Sequence, residues 1–260
     1  MGVMNLTLPK TAGGGVVRYR MIVQYDGFAY HGWQIQPGDL TVQEVIEKVL
    51  CQICSEKVKI NGSGRTDQGV HGHGQVAHFN LSHPINVVGI LRALNALLPA
   101  DIRILSLRKA RPDFHARRSA VSKEYRYFIW NGPCLPPFIA RYRAHVRKPL
   151  DLSAMQDAAR RLVGEHDFAA FAANPSRVVE STVRNLSMLK VSRRGSEIVI
   201  RARSNGFLYR MVRSLAGFLI RVGEGEVPPE HADEILASRT RTARVPTAHP
   251  QGLFLWKVWY

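Results

Sequence analysis

The stretch Asn61–Phe79 reads NGSGRTDQGVHGHGQVAHF and holds five glycines, three histidines, one arginine and a single carboxylate, Asp67. Arg65 stands two residues before Asp67, close enough to salt-bridge it, keep it ionised and aim it. Glycines on both sides let the backbone approach a bulky substrate. An aspartate in a glycine-rich loop is often only a turn former; the paired arginine makes Asp67 a candidate nucleophile. No second carboxylate lies in the loop, which argues against paired acid/base hydrolysis.

Other chemistries fit less well. No Lys-Ser/Thr follows the glycines, so the loop is not a nucleotide P-loop. It runs into a strand-like segment and not a helix, against a dinucleotide fingerprint. His71-x-His73 with His78 has the ligand types for zinc, but no acidic partner is placed to activate a bound water, so no metal is expected. Cys51-x-x-Cys54 sits alone in a helical pattern, and Cys134 is the third cysteine of an odd set. That argues for a reducing, cytoplasmic compartment and against a disulfide framework.

Charge narrows the partner. Net charge is +16 and the pI near 10.3, values that favour a polyanion. Asp101–Leu150 carries 12 Lys and Arg against 3 Asp and Glu. There, basic residues alternate with aromatics in Phe114-His115-Ala116-Arg117-Arg118 and Tyr125-Arg126-Tyr127, which suits phosphate contacts with base stacking. Arg117 and Arg126 are therefore candidate contacts to nucleic acid. No apolar run approaches a membrane span, and the first residues lack the pattern of a signal peptide.

These residues need elements to hold them. Residues 1–17 are expected to form a flexible tail. Arg18–Tyr25 alternates as a strand, and Thr41-Val42-Gln43-Glu44 is a capping box opening a helix with Val45, Ile46, Val49, Leu50 and Ile53 on one face. Strands are expected at Lys57–Ile60, Gln75–Asn80 and Ile102–Arg108, with a helix capped by Asn86 between the last two. The order is β-α-β-β-α-β, the split βαβ pattern.

The second half repeats it. Strands are expected at Lys123–Trp130 and Arg141–Val146, then a helix opened by Asp151 or Ser153, and a hairpin of Val183–Val191 with Glu197–Arg203. Helices over Phe207–Val222 and Pro229–Ala237 and a strand over Leu253–Trp259 follow. The expected fold class is α+β: two ferredoxin-like or RRM-like units, 18–108 with a catalytic loop at 61–74 and 109–260, their antiparallel sheets flanking a basic cleft. On the Phe207–Val222 helix, apolar residues leave a narrow face with Arg210, Arg213, Ser214, Gly217 and Arg221. A part-buried Arg213 would want a carboxylate partner, and Asp67 is the candidate.

Gly64-Arg65-Thr66-Asp67-x-Gly69-Val70-His71-Gly72-x-Gly74-Gln75-Val76-x-His78-Phe79 resembles the catalytic motif of the tRNA pseudouridine synthase A family. Tyr25-Asp26-Gly27-x-x-Tyr30-x-Gly32-Trp33-Gln34-x-Gln36, Asp113-Phe114-His115-Ala116-Arg117 and Lys123-x-Tyr125-Arg126-Tyr127 resemble further family motifs in the same order. So do Gly164-x-His166-Asp167-Phe168, Phe207-Leu208-Tyr209-Arg210-Met211-Val212-Arg213 and Gly252-Leu253-x-Leu255. Gln68 and His73 depart from the residues the family usually has.

The resemblance implies the pseudouridine synthase fold and isomerisation of uridines 38, 39 and 40 in the anticodon arm of tRNA, by a homodimer and without a cofactor. It makes Asp67 the catalytic aspartate, acting as nucleophile or as the base of a glycal route. Arg65 would be its partner, holding the space of a flipped base. Tyr125 would stack on the uracil, with Tyr127 the competing choice. Arg213 would be the basic residue of the second unit, and Leu253 would pack under the site. Arg117, Arg126, Arg210 and His71 are the further candidate substrate contacts. The competing readings are a non-catalytic protein with tandem RRM-like domains, against which no Gly-Phe/Tyr-x-Phe signature is found, and a zinc hydrolase built on the histidines.

Overall fold

A computed structural model describes residues 15–173 and 179–260. Two compact units emerge, one running to Ala120 and taking in Tyr260, the other Val121–Trp259.

The first unit runs β1 (Val17–Tyr25), α1 (Val42–Cys54), β2 (Asn61–Gly62), β3 (His71–Leu81), α2 (Val87–Leu97) and β4 (Ile102–Lys109). All its pairings are antiparallel, in the order β4-β1-β3-β2. Alternation along β1 buries Tyr19, Met21, Val23 and Tyr25 on one face. Ile46 and Leu50 of α1 and Ile90 and Leu94 of α2 join them in one core. The Thr41 hydroxyl caps α1 by accepting the Glu44 N–H, and Asn86 caps α2 through the Gly89 N–H. Glu44 does not complete a capping box: its carboxylate turns to Lys48, 2.7 Å away. Cys54 packs in the core, where burial pushes its thiol up to about 11, well away from redox reactivity.

The second unit runs β5 (Ser122–Trp130), β6 (Ala144–His145), α3 (Leu152–Arg161), β7 (Gly164–Asp167), β8 (Val183–Arg194), β9 (Glu197–Ser204), α4 (Met211–Gly223), α5 (His231–Ser238) and β10 (Leu253–Trp259). Its strands lie in the order β10-β5-β9-β8-β7, antiparallel throughout, with β6 added parallel to the end of β5. Asp151 caps α3, and Gly195 makes the β8–β9 turn at φ 59°. Leaving out the two short extras β6 and β7, the order matches that of the first unit.

Several expectations are corrected. Most of the expected tail at 1–17 lies outside the described residues, and β1 already begins at Val17. Lys57–Ile60 alternates like a strand but joins no ladder; the Val58 N–H goes to Cys51 Sγ and the Ile60 N–H to Glu47, both on α1. Only Asn61–Gly62 pairs with β3. Residues 71–74 belong to β3, so the glycine loop shortens to 63–70. Pro137–Tyr142 is a 3₁₀ turn where the expected strand would begin. Residues 110–120 belong to the first unit, because Arg18 binds the Pro112 and Phe114 carbonyls and Ala116 donates to His78.

Candidate active site

In the first unit the glycine loop is built onto the end of β1 and the segment after it. β1 and β3 lose register between Val23 and Tyr25, which brings Tyr25 opposite Gly72. A Cβ on Gly72 would strike the Tyr25 ring, so only glycine lets the ring cross the strand. The phenol then reaches the Thr66 hydroxyl at 2.8 Å. Burial raises the Tyr25 pKa far above the ordinary phenol value, so the group stays neutral.

The loop's backbone is closed residue by residue. Trp33 N–H donates to the Thr66 carbonyl at 3.2 Å, Val70 N–H to the Asp67 carbonyl at 3.1 Å and Gly69 N–H to the Tyr30 carbonyl at 3.3 Å. Gly69 has φ 74°, the left-handed conformation required at the third position of such a turn. Gly32, at φ +92°, lies so close that a Cβ would collide with the Thr66 carbonyl. At the other end the buried Gln75 amide takes the Ser63 hydroxyl at 2.6 Å and donates to the Gly64 carbonyl at 2.9 Å.

Asp67 is half-buried and Arg65 exposed, both on a loop whose neighbouring backbone groups are already bonded. Glycine here serves close approach of the protein's own backbone and side chains, at Gly32 to Thr66 and at Gly72 to Tyr25. Tyr25, Trp33, Gly32 and Gln75 do the positioning; all four lie within the resembling motifs, but their spacing does not disclose the contacts.

His71 is buried, its Nδ1 3.0 Å from both the Gly27 N–H and Asp26 Oδ1. That nitrogen serves the β1–α1 connection. His78 lies seven residues further along the same strand, roughly 20 Å at about 3.3 Å per residue, too far to share a metal with His71. Among the described residues no cluster of three His, Cys, Asp or Glu could hold a metal ion.

In the second unit Tyr125 and Tyr127 share one face of β5, and Arg126 lies on the opposite one. Tyr125 is 8% exposed and stands edge-on to Phe207 at 5.1 Å. Tyr127 is fully buried, its hydroxyl donating to the His249 carbonyl at 2.9 Å. Leu253 pairs with Tyr127 across β10 and β5 and is buried. Arg126 bonds Glu124 at 2.8 Å and stacks on Trp256 at 3.9 Å, away from Tyr125's side of the sheet. It is thereby separated from Tyr125, its neighbour in the alternating basic and aromatic run.

Helix α4 begins at Met211, not Phe207, because Arg210 adopts φ 56° and breaks the helical path. Arg210 sits over the Tyr209 ring at 4.9 Å. Arg213 is 8% exposed; its Nε donates to the Ala248 carbonyl at 2.7 Å, and its own carbonyl accepts the Ala248 N–H at 3.0 Å. Arg241 adds bonds to Ser214 and Thr247, each 2.8 Å. The polar stripe on α4 is thus roofed by 241–248, a segment with no periodicity to announce it. Arg117 lies in the first unit, exposed, its N–H on His115 Nδ1 at 3.1 Å.

Residues 21–117 and 158–260 match the family model described as tRNA pseudouridine synthase. Among related sequences, tRNA pseudouridine synthase A of Brevibacillus brevis is 44% identical over 243 residues, covering 94% of this chain and 99% of that protein. The protein of the same name from Geobacter sulfurreducens is 41% identical over 239 residues, 92% and 98% of the two chains. That from Listeria monocytogenes is 42% identical over 249 residues, 94% and 100%.

Proposed function

We infer that this chain, which belongs to the tRNA pseudouridine synthase family, isomerises uridine to pseudouridine in the anticodon arm of tRNA, at positions 38, 39 and 40. The bond from ribose C1′ to uracil N1 breaks, the base turns, and C5 bonds to C1′. A proton leaves C5 and one is taken up at N1, so atoms and charge balance without a cofactor.

Asp67 is the catalytic carboxylate in this reading. It attacks the nucleotide as a nucleophile or withdraws a sugar proton on a glycal route. The observation that carries the assignment is the presentation of Asp67 on a loop with Thr66 held by Tyr25 and Trp33, which holds the Asp67 backbone in place and leaves the residue half-buried. Arg65 pairs with it and fills the space of the extruded base. Tyr125 stacks on the uracil and serves proton transfer, Leu253 packs beneath, and Arg213 supplies a positive charge to the Asp67 carboxylate.

His71 is assigned to positioning, through Asp26 and Gly27. Arg117 and Arg210 suit phosphate contacts, whereas Arg126 can touch RNA only from the other side of its sheet. No helix among the described residues is long and apolar enough to cross a membrane. The reading places the enzyme in the cytoplasm, as a homodimer.

The test is Asp67→Asn on a tRNA transcript. Pseudouridine formation should vanish while tRNA affinity stays within a few-fold of wild type. A wild-type protein that binds tRNA yet forms no pseudouridine would establish the non-catalytic RNA-binding reading instead.

A further inference from the structure

A second basic site lies in the first unit, away from the Asp67 loop. A cavity of about 490 Å³ is lined by Arg18, Lys57, Lys59, His78, Asn80 and His115 among others, and none of its lining residues is acidic. Arg18 is the fixed part. Its Nε donates to Asn80 Oδ1 at 2.9 Å, and its Nη1 to the carbonyls of Pro112 at 2.6 Å and Phe114 at 2.9 Å. These acceptors are neutral, so the guanidinium is held in place without its charge being cancelled.

Lys57 and Lys59 are exposed and alternate with buried Val58 and Ile60, which puts both ammonium groups on the outer side of the segment. That segment is pinned to α1 through Cys51 and Glu47. His115 Nδ1 accepts the N–H groups of Arg117 and Arg118 at 3.1 and 3.3 Å, so its neutral ring carries the proton on Nε2 and offers a donor. A cavity offering fixed positive charge and N–H donors suits a phosphate group.

Its place along the strand limits which phosphate. His78 and Asn80 stand seven and nine residues beyond His71, where β3 leaves the Asp67 loop, roughly 20 to 30 Å at about 3.3 Å per residue. That span covers several nucleotides.

We propose that this cavity binds a backbone phosphate of the RNA substrate, several nucleotides from the uridine that reacts. It thereby helps to fix where along the RNA the Asp67 loop falls. The proposal rests on the substrate class given above and adds to it a binding site with its own residues.

The experiment is a salt titration of tRNA-transcript binding by the full chain and by K57A/K59A, whose exposed side chains can be removed without touching the segment's backbone bonds. The double variant should bind roughly tenfold more weakly at low salt, and its salt slope should fall by about 1, the share of one phosphate. KM should rise while kcat at saturating tRNA holds. K48A, which removes a charge from the exposed side of α1, is the control and should leave the slope unchanged. An unaltered slope and affinity in K57A/K59A, or an equal loss in K48A, would overturn the site. Pseudouridine formed by wild type is measured on the same transcript; its absence would sink the enzyme reading, whereas the slopes still decide the cavity.

Discussion

The Tyr25 hydroxyl and the Thr66 hydroxyl lie 2.8 Å apart, both residues buried, one at the end of β1 and the other next to Asp67. Because burial keeps the phenol neutral, the contact is a hydrogen bond at every ordinary pH. It ties the catalytic candidate to the central strand pair of its unit.

Tyr25→Phe therefore leaves the Thr66 hydroxyl without that partner in a buried place. The expected cost is about 1 to 3 kcal/mol of stability, with a fall in turnover because the loop bearing Asp67 loosens. Thermal unfolding and single-turnover pseudouridine formation measure the two effects. Full turnover with a lowered melting temperature would show that Thr66 does not position Asp67.

Two glycines separate backbone strain from collision. Gly32 and Gly38 both have positive φ, +92° and +81°, but a Cβ meets the Thr66 carbonyl at Gly32 and nothing within 4 Å at Gly38. Gly38→Ala should cost only the left-handed conformation, about 1 to 2 kcal/mol, with turnover preserved. Gly32→Ala should lose more stability and most of its turnover. Equal kinetic effects in the two variants would remove Gly32 from the site.

Tyr125 and Tyr127 share a face but should respond differently. Tyr127→Phe strips the His249 carbonyl of its donor and should lower stability by about 1 to 3 kcal/mol, with pseudouridine formation retained below the melting temperature. Tyr125→Leu should leave folding near wild type and cut turnover by roughly two orders of magnitude. Reversed outcomes would exchange the roles of the two residues.

Burial, and then the charges of His115 and Arg18, lower the His78 pKa to about 4. Above the unfolded value of about 6.5 the ring is neutral in both states and the stability is complete. As pH falls from there toward about 4, the unfolded chain takes up the proton and the native state does not. Stability should drop through that window by up to about 3 kcal/mol and then level off. Urea midpoints at successive pH values test this; a pH dependence of the same size in His78→Gln would assign it to other groups.

Local signals are legible in the chain itself. The caps at Thr41 and Asn86 and the alternation of β1, β5 and β10 depend on neighbours a few residues away and occur where the spacing puts them, and of Asp151 and Ser153 the first is the cap of α3. The misreadings have a common cause in distant partners. Lys57–Ile60 has a strand's alternation, but α1 takes the N–H groups of Val58 and Ile60, which a ladder on that side would need. Phe207 and Leu208 fit the helical period of α4, yet Arg210 turns left-handed ahead of the helix. Ala248 and Arg241, which bond Arg213 and Ser214 on the polar stripe of α4, are likewise distant in the chain and not announced by any spacing.

By itself the sequence determined the candidate chemistry-bearing residues, the repeated order of elements and the family, because residue type, period and ordered motifs are properties of the chain read in one dimension. The tertiary structure alone decided which backbone groups close the glycine loop, that Arg126 faces away from Tyr125, and that Arg18 meets Lys57 and Lys59 around one cavity. Contacts such as Tyr25 with Thr66 or Arg18 with Phe114 join residues dozens of positions apart, and no spacing in the chain encodes a distance that only packing sets.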